Sequence, residues 1–205
     1  MKIIHIAALV LLTCTAAQAE IRTFGQSATT RIENVGTLTQ AQRDGMEKFT
    51  RSAPYYGAIF IEKDGTGWGS FTGAHRMEDA IDIARRICAR YAQDSSCVLA
   101  GVTYPEDYQK TAADAETLSP RASEKYAIYQ SRTEGYRAFA VSGNTAFGWS
   151  TRRETAGLAA EAALKYCWTG SMKNLLELEV DLREAAIEDG YYSCRIIDRA
   201  GPPPS

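Results

Sequence analysis

The chain aligns with itself, and this self-similarity constrains its fold more than any other feature of the sequence. Residues 38–62 lie without gaps on residues 118–142 at an offset of 80, and residues 64–88 lie on 143–167 at an offset of 79. Nine of these fifty pairs are identical, including Tyr56/Tyr136, Ala58/Ala138, Gly69/Gly148, Ala80/Ala159, Ala84/Ala163 and Cys88/Cys167. Random pairing at average composition would give roughly three. The order of elements repeats too, and this carries more weight than the identities.

Each copy opens on a helix. Thr39 with Gln42 forms a capping-box pair, and Ser119 followed by Pro120 supplies an N-cap with proline at the first helical position. Met46 and Phe49 fall on Tyr126 and Tyr129, so one helical face recurs. A strand follows, Ala58-Ile59-Phe60-Ile61 matched by Ala138-Phe139-Ala140-Val141. Turn residues (Lys63-Asp64-Gly65-Thr66, Gly143-Asn144-Thr145) then lead into Trp68-Gly69 and Gly148-Trp149, which predicts a hairpin. The next helix carries Met77, Ala80, Ala84, Ile87 and Tyr91 at spacings of 3, 4, 3 and 4. Its counterpart is alanine-rich over Ala159 to Tyr166, and small side chains permit close approach to a sheet. Both copies spell Ala-x3-Ala-x3-Cys and reach a last strand opened by a cysteine, Cys97 or Cys194.

The expected fold is α+β: two pseudo-equivalent helix–β-hairpin–helix–strand units, with largely antiparallel sheets that join or pack face to face and helices on the outer sides. The units span residues 38–103 and 118–198, separated by a linker at 104–117. Residues 20–37 form a lead-in, and 199–205 a proline-rich tail that cannot pack as helix or central strand.

The first residues read as a secretory signal peptide, residues 1–19: a positive Lys2, an apolar stretch from Ile3 to Leu12, and small residues around Ala17-Gln18-Ala19. A largely apolar stretch of ten residues is too short to span a bilayer, which takes roughly 20. Leu11-Leu12-Thr13-Cys14 approaches a lipobox, but Thr13 stands where that signal wants Gly, Ala or Ser, so a lipoprotein anchored through Cys14 is the lesser alternative to a soluble periplasmic or secreted protein. Without the leader, 22 basic side chains face 25 acidic ones. Near-neutral charge argues against nucleic acid and against a polybasic membrane surface as partners.

Four cysteines then remain, and they allow three pairings. The equivalence of the two copies favours Cys88 with Cys97 and Cys167 with Cys194, each locking a helix to the strand after it. The layout resembles a family of short exported bacterial proteins known only as a domain of unknown function, with tandem hairpin–helix–strand units, alanine-spaced helices and helix-to-strand cysteine pairs. The resemblance covers about residues 56–102 and 136–197, and the long segments Tyr104–Thr117 and Gly170–Gly190 depart from it. It implies architecture and an exported location; it brings no site residues.

Cys167 and Cys194 stand 18 residues further apart than Cys88 and Cys97, which predicts an inserted helix near 171–188. Leu175, Leu178, Leu182 and Ala185 form one apolar face; Leu176, Val180 and Ile187 lie on another; Glu177, Asp181, Glu184 and Glu188 form an acidic stripe read as solvated. Two apolar faces mean burial between the units, the preferred reading, or a second partner such as a homodimer mate.

Few groups are available for chemistry. After leader removal His75 is the remaining histidine, and it reads as a surface residue in the first turn of a helix. No zinc spacing, no G-x-S-x-G elbow and no P-loop lysine accompanies it, so neither a metal nor a cofactor is expected. Gly65-x-Gly67-x-Gly69 reads as turn and packing glycines, and the carboxylate pairs Glu62/Asp64 and Glu78/Asp79 show no sign of a raised pKa. The aromatics Trp68, Trp149, Tyr56 and Tyr136 offer a binding surface suited to a glycan, peptide or envelope protein, against the plainer reading that they fill the cores. The expected function is a non-catalytic exported binding or interaction module. The alternatives are a small periplasmic hydrolase using His75 or a carboxylate pair, and an envelope structural protein.

Overall fold

The computed structural model describes residues 20–52, 54–93, 96–108 and 116–203. The leader with Cys14, part of the linker and the end of the tail lie outside the described residues. In chain order the elements are β1 (Ile21–Arg22), β2 (Ala28–Ile32), α1 (Gln40–Ser52), β3 (Gly57–Glu62), β4 (Trp68–Thr72), α2 (Met77–Tyr91), β5 (Cys97–Pro105), β6 (Glu116–Thr117), α3 (Pro120–Ser131), β7 (Tyr136–Ser142), β8 (Phe147–Arg153), α4 (Ala156–Leu176), α5 (Val180–Glu188) and β9 (Cys194–Ala200). The class is α+β with antiparallel sheets, ordered β2-β5-β3-β4 and β8-β7-β9.

The two sheets neither merge nor stack, which corrects the expectation of sheets joined or packed face to face. Each is covered by a helix on both sides. Ile59 and Ile61 of β3 face Met46 and Phe49 of α1, whereas Ala58 and Phe60 face Ala80, Ala84 and Cys88 of α2. In the second unit Phe139 and Val141 meet Tyr126 and Tyr129 of α3, and Ala138 and Ala140 meet Ala159, Ala163 and Cys167 of α4. Alternate strand residues point to opposite faces, so a strand covered on both sides is buried throughout, as β3 is.

The alanine–cysteine spine has its partner in the hairpin glycines. A Cβ on Gly69 would lie 2.2 Å from the Cys88 nitrogen, and one on Gly148 would lie 2.2 Å from the Cys167 nitrogen. Each helix therefore rests on strand backbone, which only glycine opposite alanine permits. The cysteines bond as expected: Cys88 with Cys97 and Cys167 with Cys194. The bulges correspond as well. Ala100 is the extra residue opposite Ile59 and Phe60, and Ile197 is the extra residue opposite Phe139 and Ala140.

The capping box forms: Thr39 N–H donates to Gln42 Oε1 at 3.0 Å and Gln42 N–H to Thr39 Oγ1 at 3.4 Å. The buried Gln42 also donates to the Glu62 carbonyl at 2.8 Å and the Gly65 carbonyl at 3.1 Å, pinning α1 to the β3–β4 turn. At α3, Ser119 accepts from the Ala122 N–H. The lead-in is more than a leash. β2 adds an edge strand to the first sheet, pairing with β5, while β1 pairs in parallel with β6 beside the second unit.

The inserted helix takes a different form from the one expected. Helix α4 runs on past Cys167 to Leu176, the chain turns at residues 177–179, and α5 is a separate nine-residue helix. Arg183 holds the corner by donating to the carbonyls of Leu175 (3.3 Å) and Leu176 (3.0 Å) in the last turn of α4 and of Leu178 (3.0 Å) in the turn that follows. Sequence periodicity ran across this corner because both sides of it are helical.

Candidate functional site

The corner after α4 sends α5 across the first unit, against α2. Between them lies a cavity of about 300 Å³. Phe71, Ile83 and Ile87 form its floor, and Leu178, Leu182, Ala185 and Ala186 form the wall contributed by the second unit. Leu178, Leu182 and Ala185 of the face read from the periodicity thus line the space between the units, while Leu175 is buried in α4 and no residue of α5 is buried.

What holds α5 in place is polar. Arg86 Nη1 lies 2.6 Å from Asp189 Oδ1, Arg90 Nε lies 3.7 Å from Asp181 Oδ2, and Tyr91 O–H donates to Glu179 Oε2 at 3.2 Å. The Tyr191 hydroxyl donates to Asp82, and the Arg86 guanidinium lies 5.8 Å from the Tyr191 ring centroid. Burial, followed by the bond to Asp82 and that carboxylate's charge, raises the Tyr191 pKa. At Asp82 the upward push of burial is outweighed by the Tyr191 and Arg85 hydrogen bonds and the charge of Arg86, so it titrates low. Half-exposed pairs of this kind contribute about 0.2–1 kcal/mol each. Of the acidic stripe, Asp181 is engaged with Arg90, while Glu177, Glu184 and Glu188 face solvent.

The second apolar face is uncovered. Leu176, Val180 and Ile187 are 62%, 65% and 46% exposed. The contact with the first unit therefore accounts for one face of the insertion and leaves the other in water.

His75 is not a surface residue; it is 1% exposed. Its Nδ1 accepts the Ser119 N–H at 3.3 Å, and its Nε2 is 3.1 Å from the Ala146 carbonyl, to which it donates in the neutral form. Thr117 Oγ1 donates to the His75 carbonyl at 2.6 Å. The residue belongs to the first unit and all three partners lie in or at the edge of the second, so His75 is a rivet between them. Burial, outweighing the Ala146 hydrogen bond and the nearby Glu116 carboxylate, pulls its pKa down to about 4. Both ring nitrogens are committed to backbone, which leaves none for a general base. Beside it Arg195 Nη2 grips both oxygens of the largely buried Glu116 at 2.7 and 2.8 Å.

The carboxylate pairs do not act as pairs. Glu62 is buried and accepts the N–H groups of Gly67 (2.9 Å) and Gln93 (2.6 Å), whereas Asp64 is exposed. Glu78 is exposed near Arg76, and Asp79 is half-buried with a pKa raised by desolvation. Gly65 lies over the Glu62 carboxylate, Gly67 packs on the Ala92 backbone and Gly69 on Cys88, so the glycine triplet serves packing. No group of three or more metal-ligating side chains occurs among the described residues. No helix among them is long and apolar enough to cross a membrane.

For the aromatics the packing fits the plainer of the two readings, that they fill the cores. Tyr56 is fully buried, edge-on to Phe24, Tyr55 and Tyr108. Trp68 packs on the α1 side of the first sheet against Gly45, Trp149 on the α3 side of the second, and Tyr136 on the α4 side. Sheets and helices separate these rings, so they form no common face. Among the described residues the exposed aromatics are Tyr91 of α2 (44%) and Tyr166 and Trp168 of α4 (54% each). The cavity had one legible sign: Ile83 and Ile87 make a second apolar stripe on α2, off the Ala80–Ala84–Cys88 spine. Compared with family models, curated proteins and solved structures, the chain matches none.

Proposed function

We propose that this is an exported, non-catalytic binding module whose site is the cavity under α5. The observation that carries the reading is an apolar space of about 300 Å³ between the two units, walled on one side by a helix with no buried residue and held by polar contacts at its rim. A helix that brings no buried side chain of its own adds little to the core, and apolar pockets of this size are where small ligands bind. The engagement of both His75 nitrogens weighs against a hydrolase built on that residue. Two disulfides suit an oxidising compartment, in keeping with a leader cleaved before Glu20. The shared glycine–cysteine contact and matching bulges support descent of both units from one duplicated unit, of the kind seen in the exported family the sequence resembles.

The reading is tested by purifying the oxidised protein from an envelope fraction and recording native mass spectra. A small-molecule adduct should accompany the wild type and be lost from Ala186→Phe, which fills the cavity. The same spectra report maturation: a chain starting at Glu20 fits the soluble reading, and an acylated Cys14 terminus would replace it with a lipoprotein.

A second reading, a self-associating envelope protein, has its own observation in the exposed Val180 and Ile187, seven residues apart on one face of α5. If it holds, sedimentation shows a dimer that Ile187→Glu dissociates.

A further inference from the structure

The chemistry of the cavity and its rim says what class of molecule the site takes; the argument rests on the binding reading above. Volume sets the size. A cavity of roughly 150 Å³ lined by aliphatic and aromatic side chains takes up benzene, so about 300 Å³ between α2 and α5 has room for two fused rings or an aliphatic group of similar bulk.

Charge sets the polarity. Three arginines on α2 face three aspartates: Arg85 pairs with Asp82 at 2.8 Å, Arg86 with Asp82 at 3.1 Å and with Asp189 at 2.6 Å, and Arg90 with Asp181 at 3.7 Å. The Tyr191 hydroxyl is spent on Asp82. Asn144, at the cavity's edge, turns its amide into its own unit, accepting from Ser142 Oγ and Ser171 Oγ and donating to the Ser171 carbonyl. An anionic ligand would have to take Arg86 from two carboxylates, and a cationic one would have to take a carboxylate from its arginine. A ligand polar group carried inside without a partner costs about 1–3 kcal/mol, more if charged. The remaining lining cation, Arg90, stands half-exposed at the rim 3.7 Å from Asp181, so it is solvated and offers no buried partner inside.

We propose that the α2–α5 cavity binds an uncharged, hydrocarbon-like molecule about the size of two fused rings, with α5 as one wall. The cavity is partly open to solvent, so entry needs no rearrangement of the fold; α5, joined to α4 by the turn at 177–179, buries no side chain.

The test is a titration of the full oxidised protein with naphthalene and, separately, with 2-naphthoate, followed by ligand-observed NMR. Naphthalene should bind saturably at one site, and 2-naphthoate at least tenfold more weakly. Ala89→Phe fills the cavity from α2 and Ala186→Phe fills it from α5; each should weaken naphthalene binding at least tenfold. Two walls are used so that one variant failing to fold, judged by circular dichroism, leaves the other to decide. The proposal is overturned if naphthalene does not bind, if naphthoate binds as tightly, or if a folded filled variant binds naphthalene like wild type. If naphthalene fails while the wild type still carries a native adduct that Ala186→Phe loses, the binding reading stands and the assignment of a hydrocarbon-like ligand falls. If no adduct and no naphthalene binding are found, both fall.

Discussion

The two units spend the same elements differently. In the first, α2 ends at Tyr91 and β5 begins at Cys97; in the second, α4 continues nine residues past its cysteine, turns, and lays α5 across the first unit before β9 begins at Cys194. The starts of these helices differ as well. Where the second unit has Glu154, exposed, the first has His75, buried against Ser119 and Ala146. The conserved parts, glycine under cysteine, alanine under strand and disulfide to the last strand, build each unit internally. The parts that differ join one unit to the other and line the cavity. What the two units share builds the frame, and what differs between them shapes the cavity.

The largest test of this contrast concerns the disulfides. Cys88–Cys97 closes 9 residues and Cys167–Cys194 closes 27. If cross-linking acts through the unfolded chain, replacing the first pair with serines should cost about 2.5 kcal/mol and the second about 3.5 kcal/mol, measured by urea unfolding. Equal costs would mean that the insertion is already ordered in the unfolded ensemble.

The rivet between units predicts a pH dependence found on one side alone. His75 takes its proton at about 4 in the fold and near 6.5 in the unfolded chain. Its contribution is full above pH 6.5, falls as pH drops towards 4 because only the unfolded state gains a proton, and stays lost below. Unfolding free energy should drop by roughly 3 kcal/mol across that window. Asp82, which titrates low, adds to the loss at the acid end. The part belonging to His75 is the part that His75→Gln abolishes, and an unchanged slope in that variant would remove the histidine from the account.

Gly69→Ala and Gly148→Ala probe what the units share. Each Cβ would meet a helix nitrogen at 2.2 Å, so each should cost about 2–3 kcal/mol. Thermal melts in which one substitution is tolerated would show that the two helices do not sit on their strands alike. The smallest effect is expected at the latch. Asp189→Ala should change global stability by under about 1 kcal/mol, yet raise amide hydrogen exchange along α5 and leave α2 unaffected.

Much of the frame was readable from the residues. Ala80-x3-Ala84-x3-Cys88 and its counterpart announce a helix pressed on a sheet, and the cysteine opening each last strand announces its bond partner. These rules are local, with partners one element apart. His75 was misread because nothing in its neighbourhood reports Ser119 and Ala146, which lie 44 and 71 residues away. Tyr56 stayed between two readings because an aromatic beside glycine looks alike on a surface and under a helix. The turn at 177–179 was missed because Arg183, which satisfies the freed carbonyls, reads in sequence as an ordinary helical arginine.

From the chain of amino acids alone came the two units, their class, their disulfides and the presence of helical extra length in the second copy. These follow from periodicity and capping, which act over one or two turns and are written where they act. The docking of α5 on α2, the burial of His75 and the cavity they leave came from the packing of one unit on the other. That packing depends on which side chains meet across long stretches of chain, and a pattern confined to each element does not record it.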